Sequence, residues 1–169
     1  MWSDLLEWAY DRHSNVLSWY IRPLFILPFV YFAWRRSWPG IVITMVALLS
    51  SMVWFPAPEE VDPHVREFLA MEERIFRDPT MLDLVTGLAV PVSLTLLAMA
   101  FWRRSLGWGL VMVNMIAILK IAWSVAAGGS SGWAVLIPAV VGLAVCDLAI
   151  VLAARRFGLP ITLRRQQRV

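Results

Sequence analysis

Residues 81–102 read MLDLVTGLAVPVSLTLLAMAFW and residues 106–127 read LGWGLVMVNMIAILKIAWSVAA, with only Arg103, Arg104 and Ser105 between them. As an α-helix, each stretch is long enough to cross the roughly 30 Å hydrocarbon core of a bilayer. Such a short connection makes the two helices antiparallel neighbours. This pair predicts a transmembrane helical hairpin.

Three further apolar stretches, 16–34, 39–57 and 133–154, have the same character. Because backbone polar groups in lipid need internal partners, and because no stretch alternates like a barrel strand, each is predicted to be helical. The expected fold is an all-α integral membrane protein with five transmembrane helices, forming one domain over residues 1–169.

The overall composition agrees with a membrane protein and argues against several other classes. The chain is 60% hydrophobic and 16% charged, whereas soluble domains carry about 45–50% and about 25%. A soluble enzyme, a disordered chain, a nucleic-acid-binding protein and a disulfide-stapled secreted domain all fit these values poorly.

The remaining segments are predicted to lie at the membrane surfaces. Residues 58–80 form a periplasmic loop containing an amphipathic outer surface helix that rests on lipid or caps the bundle. Asp62 suits its N-cap and Pro63 its first position, and its apolar face would contain Val65, Phe68, Leu69 and Phe76. Residues 1–15 form an interfacial segment, and residues 155–169 form a basic cytoplasmic tail.

Charge predicts the orientation. The connections after the first and third helices and the C-terminal segment carry arginine and no carboxylate, whereas eleven of the twelve carboxylates lie in the N-terminal segment, in the long loop or at the start of the third helix. The positive-inside rule then places the N-terminus outside and the C-terminus in the cytoplasm. With fourteen arginines to one lysine, we expect a bacterial inner membrane protein.

Two segments of the chain resemble each other. Trp34-Arg35-Arg36-Ser37 recurs as Trp102-Arg103-Arg104-Ser105. Pro23 and Pro91 occupy the same offset, and a one-residue slippage aligns Gly40 with Gly109. Two interpretations stay open: a tandem two-helix repeat followed by a fifth helix, or a shared topological need for Trp and Arg at helix ends.

Asp147 and Asn114 form the first candidate site. Asp147 lies eight residues before Arg155, which is about 12 Å from the arginine-rich side, and Asn114 reaches a similar depth on the preceding helix. An intramembrane carboxylate is costly and usually faces a bundle interior, a partner or water. The pair is either a structural hydrogen bond between the fourth and fifth helices or a site that handles a proton or cation.

Arg22, Lys120 and Asp83 form the second candidate site. Arg22 and Lys120 each lie three residues inside a tryptophan near the outer surface. Either the two cations extend to the headgroups, or they converge on a pocket for an anion or a lipid headgroup. Asp83, near the outer start of the third helix, is a candidate partner for either cation.

No sequence motif indicates an enzyme. The chain lacks a G-x-S-x-G, H-E-x-x-H or C-x-x-C motif and a phosphate-binding glycine-rich loop. We therefore expect no catalytic residues, no metal and no cofactor.

Three functional hypotheses follow. The first is a homo-oligomeric channel or transporter for a small ion or solute. The alternatives are an accessory or scaffold subunit of a larger membrane complex, for which helix five offers a stripe of small residues, and a lipid-binding or lipid-modifying protein. The expected partners are membrane lipids with anionic headgroups and either further copies of the chain or another membrane protein, without nucleic acid.

Overall fold

The computed structural model describes residues 2–163, and every regular element in that range is an α-helix or a 3-10 helix. The α-helices are α1 (Trp2–His13), α2 (Val16–Ile21), α3 (Ile26–Trp34), α4 (Trp38–Ser50), α5 (Pro63–Arg77), α6 (Met81–Trp102), α7 (Leu106–Gly128) and α8 (Leu136–Arg156). Three 3-10 segments adjoin them: Arg22–Phe25, Ser51–Val53 and Ser131–Val135. The predicted all-α class is confirmed.

Four described segments are long and apolar enough to cross a membrane: Val16–Trp34, Met81–Trp102, Leu106–Gly128 and Ser131–Arg156. They give the chain the architecture of an all-α membrane protein. We call Val16–Trp34, which comprises α2, the first 3-10 segment and α3, the first span.

The predicted fifth crossing over 39–57 is not confirmed, because its apolar helix runs only from Trp38 to Val53. These residues extend about 24 Å, less than the roughly 30 Å of a hydrocarbon core. The helix ends just before Pro56 and Pro58. Proline lacks an amide hydrogen and disfavours helical conformation in the preceding residue, which explains the early end.

The long helices form a ring. The first span packs against α6, α6 against α7, α7 against α8, and α8 returns to the first span, while α4 packs on the outside of α3. We call the end that holds the connections 35–37 and 103–105 the arginine end, and the opposite end the cap end. The main core lies towards the arginine end; its buried members are Phe29, Val30, Ala33, Ile41, Leu97, Phe101, Leu106, Val113, Ile150 and Ala154.

The first span is not a continuous α-helix, because residues Arg22–Phe25 adopt a 3-10 conformation. Helix α8 packs closely at this point: a Cβ at Gly142 would overlap the Pro23 ring, and the Cys146 thiol lies 3.4 Å from the Pro23 carbonyl oxygen. Gly142 and Cys146 of α8 therefore serve packing within the chain.

Helix α5 covers the cap end. Asp62 is its N-cap and Pro63 its first residue, so the predicted start is confirmed. Val65, Phe68 and Leu69 are buried there together with Trp19, and α5 packs on the 3-10 segment Ser131–Val135. Phe76, the fourth residue of the predicted apolar face, is 81% exposed, because the last turn of α5 extends past this buried cluster.

Helix α1 is held against the end of α4. The Arg12 Nε donates to the Val53 carbonyl oxygen at 2.9 Å, and the Asn15 amide donates to the Pro56 carbonyl oxygen at 3.0 Å. Both acceptors lie at or beyond the C-terminal end of that short helix, where carbonyl groups lack intrahelical partners. The N-terminal segment is thus part of the cap end.

Candidate functional site

The structure brings Asp147 and Asn114 together where α7 packs against α8. The Asn114 Nδ2 lies 3.0 Å from Oδ2 and 3.2 Å from Oδ1 of Asp147, and it also donates to the Leu110 carbonyl oxygen at 2.9 Å. Both polar side chains are half-buried. Within residues 2–163 no lysine or arginine forms an ion pair with this carboxylate. The Asp147 carboxyl group, which can carry a negative charge, is therefore paired with the neutral side-chain amide of Asn114.

The helix turn that carries Asp147 also contacts the 3-10 break in the first span. Cys146, its immediate neighbour, is fully buried and contacts the Pro23 carbonyl oxygen. Asp147 consequently borders the place where the regular α-helical hydrogen bonding of a neighbouring span is interrupted.

Arg22 points to α1 and contacts His13. The Arg22 Nη1 lies 2.9 Å from the His13 Nε2. Because a guanidinium has only donors, Nε2 must accept and the ring is neutral, with its proton on Nδ1. That nitrogen lies 3.2 Å from the Ser18 hydroxyl, to which it donates.

His13 is buried, with 5% of its surface exposed. Burial, reinforced by the positive charges of Arg22 and Lys120, lowers the pKa of His13 from 6.5 to about 4. A neutral imidazole is required here, because protonation would place two cations in contact and remove the acceptor for Arg22. The geometry and the lowered pKa agree on a neutral ring.

Lys120 belongs to the same polar cluster but approaches it from α7. Its ammonium lies 3.7 Å from a Glu72 carboxylate oxygen, and 5.1 Å and 5.7 Å from the ring centres of Trp123 and Phe68. The lysine side chain is 48% exposed. We call His13, Arg22, Glu72 and Lys120 the cap cluster; it joins α1 and α5 to the bundle.

Asp83 does not pair with either cation, so that expectation is wrong. It forms a capping box with Thr80 at the start of α6: a carboxylate oxygen accepts from the Thr80 backbone amide at 2.9 Å and from its hydroxyl at 2.7 Å. The need to satisfy free amides at a helix start explains this placement.

Sequence reasoning missed His13 and Glu72, because neither lies in a motif and both approach the spans from surface helices. We call the connections 35–37 and 103–105 the two turns. Sequence reasoning also did not predict that the Arg36 and Arg104 side chains each reach from their own turn to the other. The repeated Trp-Arg-Arg-Ser pattern was the available signal for that pair.

Among residues 2–163 no group of three or more His, Cys, Asp or Glu side chains is placed to hold a metal ion. The polar groups that the structure assembles are therefore the Asp147–Asn114 pair, the cap cluster and the arginines of the two turns. No protein-family model, curated protein or solved structure matches this chain.

Proposed function

We propose that the chain is a non-enzymatic channel or transporter for a small ion, with Asp147 as the group that exchanges a proton or holds a cation. The observation that carries this proposal is the Asp147 carboxylate, set within apolar helices and hydrogen-bonded only by the Asn114 amide among the described residues. A carboxylate in such a place is expensive, and such residues commonly mark ion or proton pathways.

The 3-10 break at Arg22–Phe25 supports the same proposal. Interrupted helices leave carbonyl groups outside the regular hydrogen-bond pattern, and transporters use such groups near the middle of the bilayer to coordinate ions. Here the break contacts Cys146, next to Asp147.

We further propose that the working unit is a homo-oligomer in a bacterial inner membrane. One chain of four long helices and a shorter fifth, α4, has little room for a pathway of its own. Native mass spectrometry of the purified protein tests this: a single defined stoichiometry supports it, and a monomer contradicts it.

The proposed orientation has the cap end outside and the arginine end in the cytoplasm, as the positive-inside rule predicts, with α4 completing a fifth, shorter crossing. In a Cys146→Ala background, Glu73→Cys should react with an impermeant thiol reagent in whole cells. Phe157→Cys, which is exposed at the arginine end, should react only after the cells are opened. The reverse pattern would contradict the orientation.

The transport proposal is tested with the purified protein in liposomes that contain a pH-sensitive dye for proton flux or, in a parallel preparation, a sodium-sensitive dye for flux of a monovalent cation. Under a potassium diffusion potential, wild type should move protons or a monovalent cation. Asp147→Asn should abolish that flux while folding normally, because the amide retains the shape but neither titrates nor carries charge.

Two variants serve as controls. Glu67→Gln removes an exposed carboxylate on α5 and should leave the flux unchanged. Asn114→Ala removes the hydrogen bond but keeps the acid, so it should retain flux with an altered pH profile. If Asp147→Asn shows wild-type flux, or if wild type shows none above empty liposomes, the proposal is wrong.

Anionic headgroup binding at the cap cluster is a second candidate. It is favoured by Arg22, for which no carboxylate forms an ion pair within the described residues. The contacts of Arg22 with His13 and of Lys120 with Glu72 argue for a structural role instead. Loss of copurifying anionic lipid in Arg22→Lys would favour headgroup binding, since lysine lacks the planar fork of arginine.

The scaffold hypothesis keeps no specific support from the small-residue stripe, because Gly142 and Cys146 pack against Pro23 of the same chain. Copurification of foreign subunits in a fixed ratio would restore it.

A further inference from the structure

Three helices end at the arginine end with the same backbone motif. In each, one residue adopts a left-handed conformation after the last helical turn: Arg36 (φ 57°) after α3, Arg104 (φ 57°) after α6 and Gly158 (φ 62°) after α8. The hydrogen bonds also correspond, with the amides of Arg36, Arg104 and Gly158 bonded to the carbonyls of Ala33, Phe101 and Arg155.

Glycine is the residue that this motif favours, because a side chain in the left-handed region is sterically disfavoured. Helix α8 uses glycine, whereas the other two ends carry arginine in the same conformation. Residues other than glycine are uncommon in this conformation, so the contacts of the two arginine side chains bear on their presence here.

Both arginines point across the seam between the two turns. The Arg36 Nε donates to the Trp102 carbonyl oxygen at 3.1 Å, and the Arg104 guanidinium carbon lies 5.4 Å from the ring centre of Trp34. The Trp38 and Trp102 rings, 5.1 Å apart, join the same seam. Each turn thus contributes one arginine to the other.

No carboxylate balances this charge. Within residues 2–163 neither arginine forms an ion pair, and the sequence places no Asp or Glu in 34–38, 102–106 or 155–169. The Arg104 Nε is buried without a hydrogen-bond partner among the described residues. A buried guanidinium nitrogen without an acceptor is costly, so an anionic acceptor at this position would be stabilising.

The helices that begin at the seam add to the positive potential. Ser37 caps the start of α4 and Ser105 caps the start of α7, so two helix N-termini begin immediately after the two arginines. The partial positive charge of a helix N-terminus favours a nearby anion.

We propose that the seam between the two turns binds a phosphate group through the guanidinium groups of Arg36 and Arg104. Arginine suits this ligand because its planar donors match phosphate oxygens in a bidentate manner. The phosphate belongs to an anionic phospholipid headgroup or to a free phosphate ion. The site is separate from Asp147, so this proposal goes beyond the transport proposal and does not depend on it.

Phosphatidylglycerol binding to the full chain tests the proposal, measured by native mass spectrometry of detergent-solubilised protein with phosphatidylcholine as competitor. Arg36→Gln/Arg104→Gln should weaken phosphatidylglycerol binding by about tenfold or more, the effect of losing charge-assisted hydrogen bonds. The matched control is Arg35→Gln/Arg103→Gln, which removes the same charge from the preceding residue of each turn and should change binding by less than about threefold.

A second variant protects the test against misfolding. Arg36→Gly/Arg104→Gly should fold at least as well as Arg36→Gln/Arg104→Gln, because glycine prefers the left-handed backbone, yet it should lose phosphatidylglycerol as strongly. Wild-type binding by the folded glycine variant, or equal losses in the two glutamine variants, would overturn the proposal; equal losses would show that only diffuse surface charge attracts the lipid.

Inorganic phosphate distinguishes the two sources of the ligand. If free phosphate is the ligand, phosphate should displace phosphatidylglycerol from wild type and bind far less to Arg36→Gln/Arg104→Gln. If the headgroup of a lipid is the ligand, phosphatidylglycerol should stay bound in the presence of phosphate. Either result supports the site and identifies its ligand class.

Discussion

The first hairpin, formed by α3 and α4, and the second, formed by α6 and α7, share a turn but differ in length and continuity. Both turns place an arginine at φ 57° and cap the next helix with a serine. Yet α6 and α7 have 22 and 23 residues, whereas α3 and α4 have 9 and 13. A shared turn therefore specifies how a hairpin bends and leaves open how far its helices extend.

The two aligned prolines show why the hairpins diverge. Pro91 lies inside continuous α6 and is exposed, whereas Pro23 lies in the 3-10 segment and packs against Gly142 of α8. Neither proline donates a backbone hydrogen bond. Only the proline contacted by a neighbouring helix coincides with a change of helix type.

Polar groups separate the hairpins further. Asn114 and Lys120 lie on α7, and the one-residue slippage that aligns Gly40 with Gly109 aligns them with Met45 and Ser51. The second hairpin therefore carries groups for ion or anion chemistry that the first lacks. The proposed ion site pairs Asn114 of the second hairpin with Asp147 of α8, whereas the proposed phosphate site needs both hairpins.

The largest expected effect comes from the aromatic ring beside each turn. Phe101 is 2% exposed in the core, whereas Phe32 is only partly buried. Phe101→Ala should lower the free energy of unfolding by about 3–5 kcal/mol, and Phe32→Ala should lower it by clearly less. Unfolding in mixed micelles monitored by circular dichroism measures both variants. Equal losses would show that the two hairpins contribute alike to the core.

The stability of the folded chain should depend on pH through His13, which contacts Arg22 of the first span. The unfolded chain takes up a proton at His13 below its ordinary pKa of 6.5, whereas the folded chain does so only near pH 4. The free energy of unfolding should therefore fall as the pH drops from about 6.5 to about 4, by up to about 3 kcal/mol, and His13 should lower it no further below that.

His13→Gln should flatten this dependence, because glutamine does not titrate and its oxygen can still accept from Arg22. His64→Gln, on the exposed face of α5, is the matched control and should leave the slope as in wild type. An unchanged slope in His13→Gln would refute a buried neutral ring.

A smaller effect should distinguish the glycines that follow the turns. A Cβ at Gly109 would meet the Phe101 ring at 2.5 Å, and one at Gly40 would overlap the Phe32 ring. Because Phe101 is enclosed and Phe32 has room to move outward, Gly109→Ala should cost about 1–3 kcal/mol and Gly40→Ala less. Denaturation midpoints in the same micelles measure the difference. The opposite order would mean that the first hairpin is the more tightly packed.

Much of the fold followed from local sequence. The bounds of α6 and the cap and start of α5 agree with prediction, since they depend on continuous apolar length and on side chains beside a helix start. The short α4 and the 3-10 break were missed, because apolar content alone registers neither a proline beyond the helix nor the packing of α8 on Pro23.

The candidate sites likewise contain one contact that sequence reasoning predicted and others that it missed. Helical rise placed Asp147 and Asn114 at one depth, and the structure contains their hydrogen bond. The partners of Arg22 and Lys120 escaped prediction, because His13 and Glu72 reach them from surface helices whose docking depends on tertiary packing.

By itself, the sequence determined that this chain is an all-α membrane protein, because apolar helices satisfy the hydrogen-bonding groups of their own backbone inside lipid. It also placed arginine at one end and carboxylates at the other. Only the tertiary structure decided that α5 caps the bundle, that Arg22 contacts a neutral histidine and that Arg36 and Arg104 cross between two turns. Those contacts join residues far apart in the chain, and their geometry depends on how the helices pack.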